Sequence, residues 1–140
     1  MSHGRQAKLD YWLLCDMVRR EDTGKLVVVG LYMPDIVVRE VPITLPMLSF
    51  LFKWDLRPGS LRAGHIVLKD PDRKQITRIP VDEKAFGESR ESGVFVFGVS
   101  PFGIKKLGTF TLSYKTGSRL KPLGSFRVLL QQPQGQASLS

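Results

Sequence analysis

The sequence predicts an all-β protein, a two-sheet antiparallel sandwich of seven to nine short strands with at most one short helical turn. Three observations carry that prediction. Several segments alternate apolar and polar residues with period two, as half-buried strands do. Turn signals built from Gly, Pro, Asp and Ser recur at short intervals between them. No long helical pattern runs through the chain. Many short strands with frequent turns are expected to close as two packed sheets.

The elements follow in order. Leu9 to Val18 and Lys25 to Tyr32 are apolar runs hinged by Arg19-Arg20-Glu21-Asp22-Thr23-Gly24, the pattern of a β-hairpin with a loop longer than two residues. A helix competes over the first run. Asp16, Arg19, Arg20 and Thr23 fall at i, i+3, i+4 and i+7, and residues 7–22 are rich in helix formers. The strand reading is preferred, because a helix would leave a face too narrow for so many apolar residues.

From Met47 to Asp55, Leu48, Phe50, Phe52 and Trp54 share one face, and Ser49, Lys53 and Asp55 the other. Arg57-Pro58-Gly59-Ser60 then turns the chain into Leu61 to Lys69. Asp70-Pro71-Asp72-Arg73 turns it again into Lys74 to Ile79. Val81 to Ser92 is polar and reads as a crossover holding the one helical turn. Val94 to Val99 is apolar on both faces, as a central strand is. In Thr109 to Lys115, Phe110, Leu112 and Tyr114 point one way, and Lys115-Thr116-Gly117-Ser118 closes a hairpin. Phe126, Val128 and Leu130 supply a last inward face. Residues 9–130 are expected to form a single domain, with a flexible N-terminus over 1–8 and a disordered polar tail over 131–140.

A chain of 140 residues is long enough to bury a core without disulfides or metals. No apolar run approaches the roughly 20 residues that span a bilayer. The polar, basic start and the absence of a small-residue cleavage site argue against a signal peptide. A single cysteine, Cys15, cannot form an internal disulfide, and the expected location is the reducing cytoplasm. The net charge is +8, and its placement is uneven. All 13 carboxylates lie at or before Glu91, while Lys105, Lys106, Lys115, Arg119, Lys121 and Arg127 follow it. Such a segment can attract a polyanion, or simply keep strand edges soluble.

Leu14-Cys15-Asp16, then Gly24-Lys25-Leu26, then Val29-Gly30-Leu31-Tyr32 form an ordered set of motifs. Pro58-Gly59, His65-Ile66-Val67-Leu68, Asp70-Pro71-Asp72 and Leu123-Gly124-Ser125-Phe126-Arg127-Val128 continue it. Together they resemble a family of small bacterial proteins of unknown function, in which a Cys-Asp strand precedes a Gly-Lys hairpin and a Gly-Phe/Tyr strand end. The chain departs from that pattern at Arg73, where the family usually has glycine. The resemblance implies an immunoglobulin-like or C2-like β-sandwich and supplies no catalytic residue.

The catalytic inventory is thin, and no cofactor or metal is expected. His3 lies in the flexible terminus and His65 stands in a strand without partner ligands. Cys15 reads as an inert core thiol whose pKa the neighbouring Asp16 would raise. Asp16 shares a face with Trp12, Leu14 and Val18, so it is expected to be a buried polar group that needs a partner. Asp70 and Asp72 could line a calcium site at the end of a C2-like sandwich, but Arg73 and Lys74 favour a plain turn.

The loop Ser100 to Lys106 is the leading interaction candidate. Pro101, Phe102 and Ile104 would form an apolar tip beside Lys105 and Lys106. Its competitor is a plug, with Phe102 and Ile104 folded back into the sandwich end. The expected function is a non-catalytic protein-interaction module with a protein partner, using a loop or an open edge strand that could also join two copies. The alternative is a nucleic-acid- or polyanion-binding accessory protein using Lys115, Arg119 and Lys121, whose binding would weaken steeply with salt.

Overall fold

The structure, a computed structural model, describes residues 6–86, 89 and 91–132. His3 and residues 133–140 of the polar tail lie outside the described residues. The two apolar runs near the start fold as a hairpin, β1 (Lys8–Arg20) and β2 (Leu26–Tyr32), so the helical alternative for the first run is excluded. At its tip the Glu21 amide donates to the Lys25 carbonyl at 2.8 Å and the Gly24 amide to the Glu21 carbonyl at 2.9 Å. Gly24 takes a φ of 86°, which a residue without Cβ adopts at no steric cost.

The later strands are β3 (Ile36–Val38), β4 (Ile43–Leu45), β5 (Leu48–Asp55), β6 (Gly64–Lys69) and β7 (Gln75–Val81). After a 3-10 turn over Glu83–Phe86 come β8 (Ser92–Val99), β9 (Phe102–Ile104), β10 (Gly108–Thr116) and β11 (Arg119–Leu130). That turn is the one helical turn expected in the crossover. Eleven strands among the described residues exceed the seven to nine expected. The reason is that β3, β4 and β9 have three residues each, too few for alternation to show.

The fold is all-β, with several sheets. A four-stranded antiparallel sheet runs in the order β2-β1-β5-β8, and a five-stranded sheet in the order β3-β11-β10-β6-β7. Strands β4 and β9 form a small antiparallel pair. The expectation of purely antiparallel pairing fails at one place: β3 pairs with β11 in parallel, Val128 opposite Ile36.

The inward rows of the two large sheets meet in one core. Phe50 of β5 packs against Phe126 of β11 at 6.2 Å between ring centroids, and Trp54 against Tyr114 of β10 at 6.0 Å. Leu48, Phe50, Phe52 and Trp54 are all buried, as are Phe110, Leu112, Tyr114, Phe126 and Val128. Burial of each such side chain stabilises by about 1.5–3 kcal/mol. Ala7 is also buried, just ahead of β1. Leu130 departs from its expected inward place and is about half exposed at the last position of its strand.

Strand β8 is not the central strand that its apolar composition suggested. It is an edge of the four-stranded sheet, and the two central positions belong to β1 and β5, the latter with Ser49 and Leu51 buried on the face away from the core. The free edge of β8 is flanked by the 3-10 turn, with the Phe86 ring lying on Gly93. A Cβ built there would meet the ring at 2.4 Å.

Candidate functional site

The loop singled out in the sequence is a plug. Phe102 and Ile104 on β9 are both about 1% exposed, and Phe102 packs against Phe110 at 6.1 Å. They pair with Leu45 and Ile43 of β4, so the small two-stranded sheet closes one end of the core. Pro101, Lys105 and Lys106 remain at the surface, without an apolar tip between them. Lys106 forms an ion pair with Asp72, which holds the Asp72 carboxyl below its usual range and raises the lysine.

Asp16 is exposed, not buried. It does share the inward parity of Leu14, but the core ends at Leu14 and the hairpin continues past it. Its carboxylate accepts a hydrogen bond from the Tyr32 hydroxyl at 3.0 Å, and its carbonyl accepts one from Ser49 at 3.2 Å. Across the hairpin, Gly30 has a φ of 69°, and a Cβ there would stand 2.1 Å from the Asp16 carboxylate. The strand end Val29-Gly30-Leu31-Tyr32 therefore needs its glycine both for the backbone and for Asp16. Tyr32 is pushed up to about 12, by burial first and by the hydrogen bond to Asp16 second.

Cys15 has no exposed surface, and burial, followed by the Asp16 charge, raises its pKa. Burial and a raised pKa both reduce the thiolate character on which thiol reactivity depends.

The basic candidates do not form one stripe. In the β10–β11 hairpin Lys115 lies opposite Leu120, whereas Lys121 lies opposite Tyr114 and Arg119 opposite Thr116. Opposed residues share a face and neighbours alternate, so Lys115 projects to one side and Lys121 and Arg119 to the other. Arg127 is engaged by Asp35, with its NH2 2.6 Å from Asp35 Oδ2, and that pairing lowers the Asp35 pKa.

The Asp70 turn is held by hydrogen bonds from its own backbone. Asp70 Oδ1 accepts the amides of Asp72 at 2.8 Å and Lys74 at 2.9 Å. Arg73 takes a φ of 67°, the left-handed conformation that glycine adopts at no steric cost. Among the described residues no group of three or more His, Cys, Asp or Glu is placed to hold a metal.

The feature that sequence reasoning missed is the outer face of the four-stranded sheet. Register fixes its membership: Leu13 lies opposite Leu51 and Leu51 opposite Val96, while Cys15 lies opposite both Leu31 and Ser49. Met17 is opposite Val29, and Tyr11 opposite Lys53. Met17, Val29, Leu31 and Tyr11 are each 41–49% exposed. Beneath them Cys15, Ser49 and Leu51 are buried although they are not part of the core. Met47 extends the surface over Gly98, its sulfur 3.3 Å from where a Cβ would stand. One end of the face is closed by charge, where Lys53 binds Asp10 at 2.5 Å and Arg57 binds Asp55 at 2.8 Å. Asp55 is held down to about 2 by the Arg57 hydrogen bonds. The sequence signal was present, since β1, β2 and β8 are apolar on both faces. It reads equally well as double burial, which is why it pointed to a central strand.

No helix among the described residues is long and apolar enough to cross a membrane. No curated protein matches the chain. A family model described as a family of unknown function (DUF6941) matches residues 10–129, which span β1 to β11. The chain belongs to that family.

Proposed function

We propose that this chain is a bacterial, cytoplasmic, non-catalytic protein-binding module built on an immunoglobulin-like or C2-like sandwich, and that it binds its partner through the outer face of the four-stranded sheet. One observation carries the reading: Tyr11, Leu13, Met17, Val29 and Leu31 stand together on a surface that no described residue covers. Contiguous exposed apolar surface rimmed by charge is the mark of a protein-contact site. Strand β2 adds to it. It is a free sheet edge of seven residues, Leu-Val-Val-Val-Gly-Leu-Tyr, without the charge or proline that guards most edges.

The two edge strands of the five-stranded sheet differ in this respect. β7 carries Arg78 and Pro80, and β3 has only three residues.

The test replaces Met17 and Leu31 by lysine in one variant and Thr111, on the outer face of the other sheet, by lysine in a second. Wild type and Thr111→Lys are expected to retain a stoichiometric partner through purification from the native cell, and the double variant to lose it at an unchanged melting temperature. Mass measurement in solution identifies a second copy if the partner is one. Retention of the partner by the double variant, or a wild type that elutes alone as a monomer, overturns the reading.

A further inference from the structure

The outer face of the five-stranded sheet carries a different kind of site. Lys115 on β10 lies directly opposite His65 on β6, and His65 opposite Pro80 on β7. Arg78, two residues before Pro80, projects to the same side. Its NH2 approaches His65 Nδ1 at 3.4 Å. A guanidinium can only donate, so in this contact Nδ1 is the acceptor and Nε2–H is the ring donor left over. Three adjacent strands thus present donors alone: guanidinium N–H groups, an ammonium and an imidazole N–H.

These side chains line an open cleft of about 350 Å³, within the size range of small-ligand sites. Gly117 forms part of its wall and has nothing within 4 Å of where a Cβ would stand, so a ligand can approach the hairpin backbone.

The charge in the cleft is unbalanced. Lys53, Arg57, Lys106 and Arg127 each have a carboxylate partner. Among the described residues Arg78 and Lys115 have none. The one carboxylate in the lining, Asp82, accepts the Lys84 amide at 2.9 Å in its own turn and offsets one of these two charges, so the cleft keeps an excess of one positive charge. A multidentate oxyanion would satisfy all three donors and the excess charge together.

We propose that this cleft binds a phosphate group, as the free ion or as a small monoester. A nucleic-acid strand fits less well, because stacking needs exposed aromatic rings and Phe110, Tyr114 and Phe126 of this sheet are buried. The proposal is independent of the protein-binding reading, which concerns the other sheet.

The experiment titrates the protein with inorganic phosphate and with glycerol 3-phosphate at constant ionic strength, following the ring resonances of its two histidines. The His65 signals, assigned by their loss in His65→Gln, are expected to move along a saturable curve. Arg78→Gln and Lys115→Gln, both surface changes checked by their melting temperatures, should each weaken binding about tenfold or more. Tighter binding of the ester than of the ion assigns a monoester ligand, and the reverse assigns free phosphate. A shift that does not saturate, one reproduced by chloride, or variants that bind as tightly as wild type overturn the proposal.

Discussion

Hairpins β1–β2 and β10–β11 each contain the longest strand of their sheet, and they present opposite surfaces to water. Both send an apolar row inward: Trp12 and Leu14 from the first, Phe110, Leu112 and Tyr114 from the second. Outward, the first shows Leu13, Met17, Val29 and Leu31, while the second shows Thr109, Thr111, Ser113 and Lys115. Alternation is legible only where the outer face carries polar residues, and both outer faces here meet water. The second hairpin therefore reads as strands at once, and the first could be confused with a helix.

The largest effects test whether inward and outward apolar residues really differ. Leu14→Ala should cost about 2–5 kcal/mol and Phe126→Ala about 3–5 kcal/mol in urea unfolding, since both leave cavities in a shared core. Leu31→Ala, outward on the first hairpin, should cost under about 1 kcal/mol. A loss at Leu31 equal to that at Leu14 would show the outer face to be packed, and the contrast between the hairpins would collapse.

The point where the hairpins touch comes next. A Cβ at Gly124 of β11 would stand 2.4 Å from Trp12 Nε1 of β1. Gly124→Ala should therefore displace the indole and cost about 1–3 kcal/mol, the usual price of overpacking. Tryptophan fluorescence should shift with it. A neutral substitution with unchanged fluorescence would mean that this contact does not set the spacing of the sheets.

What the sequence disclosed follows the range of the interactions involved. The hairpins, the Asp70 turn and the inward rows are local, and each was readable from alternation and turn chemistry. Sheet order was not, because the parallel β3–β11 pairing joins segments about ninety residues apart whose register no local pattern records. The acid-free C-terminal third misled for the same reason. Lys106 and Arg127 are neutralised by Asp72 and Asp35 from earlier in the chain, and Lys115 and Lys121 leave opposite faces of one hairpin. For Phe102 and Ile104 the composition fitted both a plug and a docking tip, with the plug somewhat favoured because sandwich ends need one. The pairing of β9 with β4 makes it a plug.

Tips give a smaller effect. Both hairpins turn on glycines of positive φ, Gly24 at 86° and Gly117 at 58°, whereas the β6–β7 turn uses Arg73 at 67°. Gly24→Ala meets no neighbour within 4 Å, so its expected loss of about 1 kcal/mol is purely conformational. Arg73→Gly should gain about 1 kcal/mol, visible as a higher melting temperature. No gain would place the strain elsewhere in the turn.

The smallest effect separates the hairpins by their tyrosines. Tyr32 and Tyr114 both ionise at about 12, raised first by burial and then by a carboxylate, Asp16 for Tyr32 and Asp82 for Tyr114. An unfolded phenol ionises near 10. Between those values the unfolded chain sheds protons that the folded chain keeps, so stability falls as pH rises. The contribution is complete below about pH 10 and is lost by about pH 12. Tyr32→Phe and Tyr114→Phe should each make that alkaline decline shallower. Asp16→Asn should lower the Tyr32 transition in an absorbance titration of the phenolates while leaving the Tyr114 transition in place. The shift should be partial, because burial is the larger cause and the amide still accepts the hydroxyl proton. A titration curve unchanged by Asp16→Asn would leave burial as the sole cause at Tyr32. The two hairpins would then differ in their surfaces but not in how they hold their phenols.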